Sequence, residues 1–390
     1  MTGGSTNQSL LAALFAGVLI YGLAMGTSYP LLALVMAKDV SAAWNGVSVA
    51  ATGLGFVAGV MVLPRLSARF GAGTVAAGGM ATLALCLVTL SVVRDFWLVF
   101  GLRFLLGLSS NLMFVMTETG LNVLASPHSR GRVFGLYAML TGLGFVIGPT
   151  LVAFFGDNAS LLFLICAVMA GVATLPYLAM RRSLDALIEP ARSVRLTRSV
   201  TVLPAAFLLL FIASAVDAVM ITLFPVIAVQ TGFSASQGAL YVAVFHVGLV
   251  ASQPIVGWLL DRLGRRRTVL ACLVLNCAGP MFLAIDPTPA PIVMSLIMFV
   301  WGGSNYGLYT AGLTLIGDRF RGSELAEATG SFALVYATAA IVAPLMLGFG
   351  MQTISATGIF AVAAIAYAVA LLWAASGFRP VEPVSAVRVT

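Results

Sequence analysis

The chain has 390 residues, of which 61% are hydrophobic and only 8% charged. A soluble domain carries about a quarter of its residues as charged groups, so this composition, with a mean hydropathy of +1.07, excludes a water-covered globule. The net charge of +7 does not imply nucleic acid as a partner. Lys38 is the one lysine, and the arginines sit in short clusters between apolar runs, as topology signals do.

Each apolar run approaches the roughly 20 residues that cross a bilayer as a helix. The runs predict an all-α polytopic membrane protein with twelve spans: 9–36, 44–66, 73–93, 96–125, 132–155, 159–180, 201–229, 236–260, 268–285, 290–316, 325–350 and 356–377. The amino terminus lacks the basic region of a signal peptide, so the first span is expected to be retained. Cys86, Cys166, Cys272 and Cys277 fall inside apolar runs without metal-ligand spacing and are expected to act as small apolar residues, with no metal or cofactor.

An even number of spans places both termini on one side. Lys38 and Arg94 lie on the other side and Arg103 lies within a span; all remaining basic residues share the side of the termini. Basic loops stay cytoplasmic, so both termini are expected there, with a lipid bilayer around the spans.

The one long polar break, Arg181 to Val200, predicts a linker between a six-helix bundle at 1–180 and another at 201–377, followed by a tail at 378–390. The halves resemble each other at a shift of 195 residues. Pro30 then matches Pro225, Met25 matches Met220, Gly107 matches Gly302, Gly135 matches Gly330 and Pro149 matches Pro344. Duplicated halves around a cleft are the architecture of alternating-access transporters.

Charged groups inside a bilayer face a cavity or a partner. Arg103 and Glu118 lie on the fourth span, about 60° apart around a helix and roughly 22 Å along it. Gly107, Asn111 and Asn122 lie on the same side. Each charge therefore needs a partner on another helix. Asp217 is mid-span in the seventh run, within FIASAVDAVMITLF, and His246 is at similar depth in the eighth, with Gln253 two turns on. These make Asp217, Glu118 and His246 candidates to load and release a proton; permanent hydrogen bonding between helices is the competing reading. Arg103 and Asn111 are candidate substrate groups. Trp301, Asn305 and Tyr309 repeat every fourth residue on the tenth span, and with Tyr306, Tyr21 and Tyr336 they suggest an aromatic pocket, although such stripes also serve packing.

The stretch GWLLDRLGRRR, with Gly257, Asp261, Arg262, Gly264, Arg265 and Arg266, resembles the loop signature of the major facilitator superfamily, here between the eighth and ninth spans. The first-half counterpart, PRLSARFGAG, keeps Arg69 and Gly71 but has Ala68 where the acid belongs. Arg103 with Gly107 is similar to the family's Arg-x-x-x-Gly pattern, and Gly144, Gly148 and Pro149 to the Gly-x-x-x-Gly-Pro pattern of its proton-coupled exporters. The resemblance implies the major facilitator fold, a monomer, and a gating role for these motif residues.

An ATP-driven pump needs a glycine-rich turn ending in lysine, and Lys38 has no glycine around it. The expected function is therefore not enzymatic. It is gradient-driven export of a small amphipathic or cationic drug or metabolite in exchange for protons. A proton-coupled symporter or exchanger of a polar or anionic nutrient, with Arg103 as the anion's partner, is the alternative.

Overall fold

The structure is a computed structural model. It describes residues 2–124, 130–187, 199–320 and 322–377. The tail at 378–390, the linker residues 188–198 and the side chains of Asn122 and Asp261 lie outside the described residues.

Among the described residues the chain is helical, with no strand. The order is α1 (Thr2–Met36), α2 (Ala42–Phe70), α3 (Ala72–Leu90), α4 (Phe96–Leu124), α5 (Arg130–Phe155), α6 (Ala159–Ala179), α7 (Arg181–Leu187), α8 (Ser199–Val202), α9 (Pro204–Thr222), α10 (Phe224–Gln230), α11 (Ala235–Arg262), α12 (Arg265–Ile285), α13 (Pro291–Arg319), α14 (Gly322–Thr353) and α15 (Ala356–Gly377). Eleven helical stretches are long and apolar enough to cross a membrane, and one of them, Leu136–Ala179, holds both α5 and α6. The chain thus makes twelve crossings.

Two expectations change. The seventh span is not one helix: it breaks at Leu223 into α9 and α10. Pro225 has no N–H to continue the ladder, and its ring would clash with the carbonyl of Ile221. The predicted loop GWLLDRLGRRR is not an open loop either. α11 runs to Arg262 and α12 starts at Arg265, so only Leu263 and Gly264 lie between them. Gly264 makes the reversal at φ 83°, and in the first half Gly71 alone joins α2 to α3 at φ 84°. Both values lie in the left-handed region that favours glycine.

At the α2–α3 joint a residue from the linker closes the structure. The backbone N–H of Gly73 donates to Asp185 Oδ1 at 2.8 Å, satisfying an otherwise orphaned donor at the α3 N-terminus. Leu184 beside it is buried in the first hydrophobic cluster. A start signal at the other end of the molecule follows local rules: Ser234 and Gln237 form a capping box at the head of α11.

Two hydrophobic clusters form the interior. One draws on residues from Leu10 to Leu184 together with Ala239, the other on residues from Leu203 to Ala374. Within each, glycines let helices touch backbone to backbone. A Cβ on Gly144 or Gly148 would strike the α1 backbone at Gly22 or Gly26. Gly107 meets the α2 backbone at Thr52, and its repeat partner Gly302 meets the α11 backbone at Phe245. The two glycines matched by the shift of 195 thus occupy equivalent helix crossings. Thr27 bonds the Leu23 carbonyl, and Thr222 bonds that of Ala218, at matching places too.

The halves pack through α2 on α14 and α5 on α11. Ser41 Oγ accepts from Gln352 Nε2 at 2.9 Å, Ser236 donates to the Ala153 carbonyl, and Gly46 rests against Pro344 and Gly348. Deeper in, Gly142 faces Val250. These contacts reach from mid-span to the end of the bundle that is poor in basic residues.

The crossings make a clear prediction. Gly144→Ala is expected to lower stability by about 1–3 kcal/mol through overpacking against α1. Gly171→Ala, where an added Cβ meets nothing within 4 Å, should leave the melting temperature of the detergent-purified protein unchanged or slightly raised. Asp185→Ala should cost about 0.5–2 kcal/mol through the lost cap, read in the same assay.

Candidate functional site

Asp217, on α9, is the centre of a polar node at mid-bundle. It is 8% exposed. The Tyr336 hydroxyl of α14 donates to its Oδ2 at 3.1 Å, and the Tyr306 hydroxyl of α13 is placed to hydrogen-bond the same carboxylate. On α11, His246 Nε2 stands 3.5 Å from Asp217 Oδ1, within ion-pair range and longer than a formed hydrogen bond. Asp217 and His246 thus stand side by side on neighbouring helices.

The other ring nitrogen fixes the chemistry. His246 Nδ1 lies 2.8 Å from the Val242 carbonyl, and a carbonyl only accepts, so Nδ1 carries a hydrogen. If the imidazole is neutral, Nε2 then presents a lone pair to a carboxylate oxygen, and two acceptors would face each other. One proton resolves this, whether on the carboxylate or on the imidazole. A proton on either group lets the two hydrogen-bond.

His246 also touches the other half. The Phe145 ring of α5 stacks on it, with centroids 5.8 Å apart and planes at 16°. Phe145 and Tyr29 of α1 each pack against both hydrophobic clusters. Tyr29 lies within electrostatic range of Asp217 and of Arg103.

Arg103 is fully buried on α4, and its three guanidinium nitrogens make no hydrogen bond among the described residues. Asn111, two turns on, lies against Gly59 of α2, and its amide likewise makes no hydrogen bond there. Glu118 finds the partner on another helix that its position demanded: the Tyr137 hydroxyl of α5 donates to it at 3.0 Å. Tyr309 of α13 lies within electrostatic range of both Glu118 and Asp217. Tyr21, Phe114 and Tyr137 line one side in ring contact, and Tyr306, Tyr309 and Phe332 line the other. The node is therefore a tyrosine-rich cluster between the halves, with a carboxylate on each.

The remaining residues lie elsewhere. Asn305 donates to the Ala213 carbonyl at 3.0 Å and accepts from the Tyr367 hydroxyl at 2.8 Å. Trp301 packs on Phe245. Both are buried in the core of the second half, apart from Tyr306 and Tyr309. Gln253 accepts from Thr310 at 2.6 Å, tying α11 to α13. Gly144, Gly148 and Pro149 belong to the α1–α5 crossing.

The signature residues sit at the basic-rich end. Arg265 donates to the Leu260 carbonyl at 2.7 Å and Arg266 to the Ala375 carbonyl at 2.9 Å. These bonds serve the C-terminal ends of α11 and α15. Arg262 rides on the Trp258 ring and Arg69 on that of Phe70. Gly257 has open space where a Cβ would stand.

The profile of the Major Facilitator Superfamily matches residues 14–205 and, a second time, 206–390. The chain belongs to the major facilitator superfamily. An uncharacterized MFS-type transporter of Bacillus subtilis (strain 168), YfkF, is 24% identical over 357 residues, spanning 88% of this chain and 89% of its own. The multidrug resistance protein MdtG of Proteus mirabilis (strain HI4320) is 27% identical over 158 residues, 39% of each chain. The nucleoside transporter NupG has the same fold, with a TM-score of 0.78 at 14% identity over 97% of this chain and all of its own. The superfamily fixes a secondary transporter of twelve helices and excludes an enzyme.

Sequence reading missed Tyr29, Tyr137 and Phe145. Tyr137 and Phe145 are eight residues apart on α5, beside the glycines that draw α5 against α1, and that spacing was a usable signal.

The two kinds of residue separate by experiment. Asn305→Ala leaves the Tyr367 hydroxyl and the Ala213 carbonyl unpartnered and should cost about 2–3 kcal/mol. Tyr309→Phe keeps the ring contacts with Tyr306 and Phe332 and should stay within about 0.5 kcal/mol of the parent, both read by thermal unfolding.

Proposed function

We propose that this chain is a proton-coupled exporter of small amphipathic cations. The observation that carries the reading is the Asp217–His246 pair, which a proton on either group lets hydrogen-bond and which stands against Phe145 of the opposite half. A proton held there lies between the two bodies that must move in alternating access. The carboxylates of Glu118 and Asp217 among tyrosine rings suit a cation with an apolar body. The similarity to MdtG, whose name states multidrug resistance, supports export.

In this reading the protein is a monomer in the inner membrane. The basic residues keep both termini cytoplasmic. The contacts at Ser41, Ala153, Ser236 and Gln352 then seal the outer end, and the state is closed to the outside. The signature residues at the inner end steady that side of the bundle between states. Arg103 favours the second reading, a polar or anionic nutrient, since an unpaired guanidinium suits an anion.

The test uses inside-out membrane vesicles with an acidic interior and tetraphenylphosphonium as the cation. The parent should accumulate it. Asp217→Asn should lower the initial rate at least tenfold while the cation still raises the variant's melting temperature. Full accumulation by Asp217→Asn would refute the proton role. Accumulation of organic anions or sugars instead of cations, abolished in Arg103→Gln, would establish the second reading.

A further inference from the structure

The chain has five tryptophans, and they divide by place. Trp301 stands in mid-helix on α13 and is 2% exposed. Trp44, Trp97, Trp258 and Trp373 are 49%, 67%, 56% and 39% exposed, and each is among the five residues at one end of its helix. None of the nine tyrosines is exposed, so these four indoles are the amphipathic aromatic rings on the outside of the bundle. Their distribution is uneven. Trp44 and Trp97 stand at the basic-poor end of the first half, at the heads of α2 and α4. Trp258 and Trp373 stand at the basic-rich end of the second half, at the tails of α11 and α15. The opposite end of each half carries no exposed tryptophan or tyrosine among the described residues.

Charged neighbours set the level of these rings. The Asp95 carboxylate caps α4 by accepting from the Leu98 N–H at 3.0 Å, and Trp97 is two residues, about 3 Å, further along the axis. Trp44 meets Trp97 and Phe96 in ring contact, with centroids 6.2 and 5.2 Å away, and so shares that level. Arg262 holds its guanidinium 5.9 Å from the centre of the Trp258 ring. Arg266 donates to the Ala375 carbonyl at 2.9 Å, two residues beyond Trp373. Charges at a helix end stay in water or among head groups, while the span behind them crosses hydrocarbon. Each ring therefore sits where the two meet. An indole suits that boundary: its body is apolar, and its N–H needs an acceptor that hydrocarbon lacks and a lipid ester or phosphate oxygen supplies.

We propose that these tryptophans pin the two halves to opposite faces of the bilayer, the first half at its basic-poor end and the second at its basic-rich end, with lipid head groups as their partner. The repeat does not produce this arrangement. Under the shift of 195 residues Trp44 falls on Ala239 and Trp97 on Ile292, while Trp258 falls on Leu63 and Trp373 on Leu178. The helix crossings were kept in both halves, and the anchors were not. Each half is thus held by lipid at one end and left without an indole at the other, and the free ends lie on opposite faces. A rigid body held at one end tilts about that end. The anchoring concerns lipid alone and holds whichever substrate and coupling ion the transporter uses.

The experiment reads tryptophan fluorescence of the full-length protein in vesicles of phosphatidylcholine brominated either near the glycerol end of the acyl chain or near its methyl end. Four variants each keep one exposed tryptophan, with the other three changed to phenylalanine. A fifth, with all four changed, gives the signal of Trp301 alone, which is subtracted. Each of the four indoles should be quenched about twofold more strongly by the shallow bromine than by the deep one, as befits a ring at the boundary. In vesicles whose protein copies all face one way, iodide added outside should reach one pair, Trp44 with Trp97 or Trp258 with Trp373, and spare the other. Stronger quenching by the deep bromine at any of the four would overturn the proposal. So would quenching by neither bromine, which would put the ring in water or against a second copy of this chain. Iodide reaching both pairs from one side would place both anchors on one face and overturn their opposition.

Discussion

Inside hydrocarbon, helices gain nothing by hiding apolar surface from one another, so close contact has to hold them. The crossings of α1 with α5, α2 with α4 and α11 with α13 meet that demand with glycine, bringing backbone against backbone. Much of the architecture follows from this. Each half becomes a stiff body because its helices approach too closely to slide, and the freedom that remains lies between the halves. The repeat of Gly107 at Gly302 means the same solution was used twice, which is why the two bodies match.

Polar groups obey the complementary demand. Where water does not reach, every buried donor and acceptor needs a partner from the protein. Asn305 meets it within one half, through Ala213 and Tyr367, and so becomes part of the rigid body. Asp217 meets it only in part, through Tyr336 and a 3.5 Å contact with His246. Arg103 meets it with no hydrogen bond among the described residues. Part of the unmet demand therefore lies where the bodies adjoin, at the carboxylate beside His246 and Phe145.

The twelve crossings were legible because runs of about 20 apolar residues leave few other fates for a chain. Asp217 and His246 were legible for a related reason: a lone ionisable group in such a run stands out. The way the imidazole is turned toward Asp217 was not, since it depends on the carbonyl of Val242, which no side-chain pattern encodes. The stripe of Trp301, Asn305 and Tyr309 misled because a step of four residues drifts about 40° around a helix. Over two steps it turns from the core of the second half toward the cluster between the halves. Tyr29 stayed hidden because a tyrosine before a proline near a span's end reads as an interface anchor. The tight joints were overestimated as loops because arginine and glycine suggest exposure, while a single glycine at positive φ suffices for the turn.

The Asp185 cap has a consequence for how the chain is made. The α3 N-terminus is completed by a carboxylate that lies 112 positions further along the sequence. A ribosome will have released α3 into the membrane long before that residue exists. The first body can gather its helices as they emerge, but the rim at the α2–α3 joint stays unfinished until the sixth crossing is complete and the segment after it folds back. The join between the bodies is thus also the closing piece of the first, and the bundle's true boundary lies past the end of its last membrane helix.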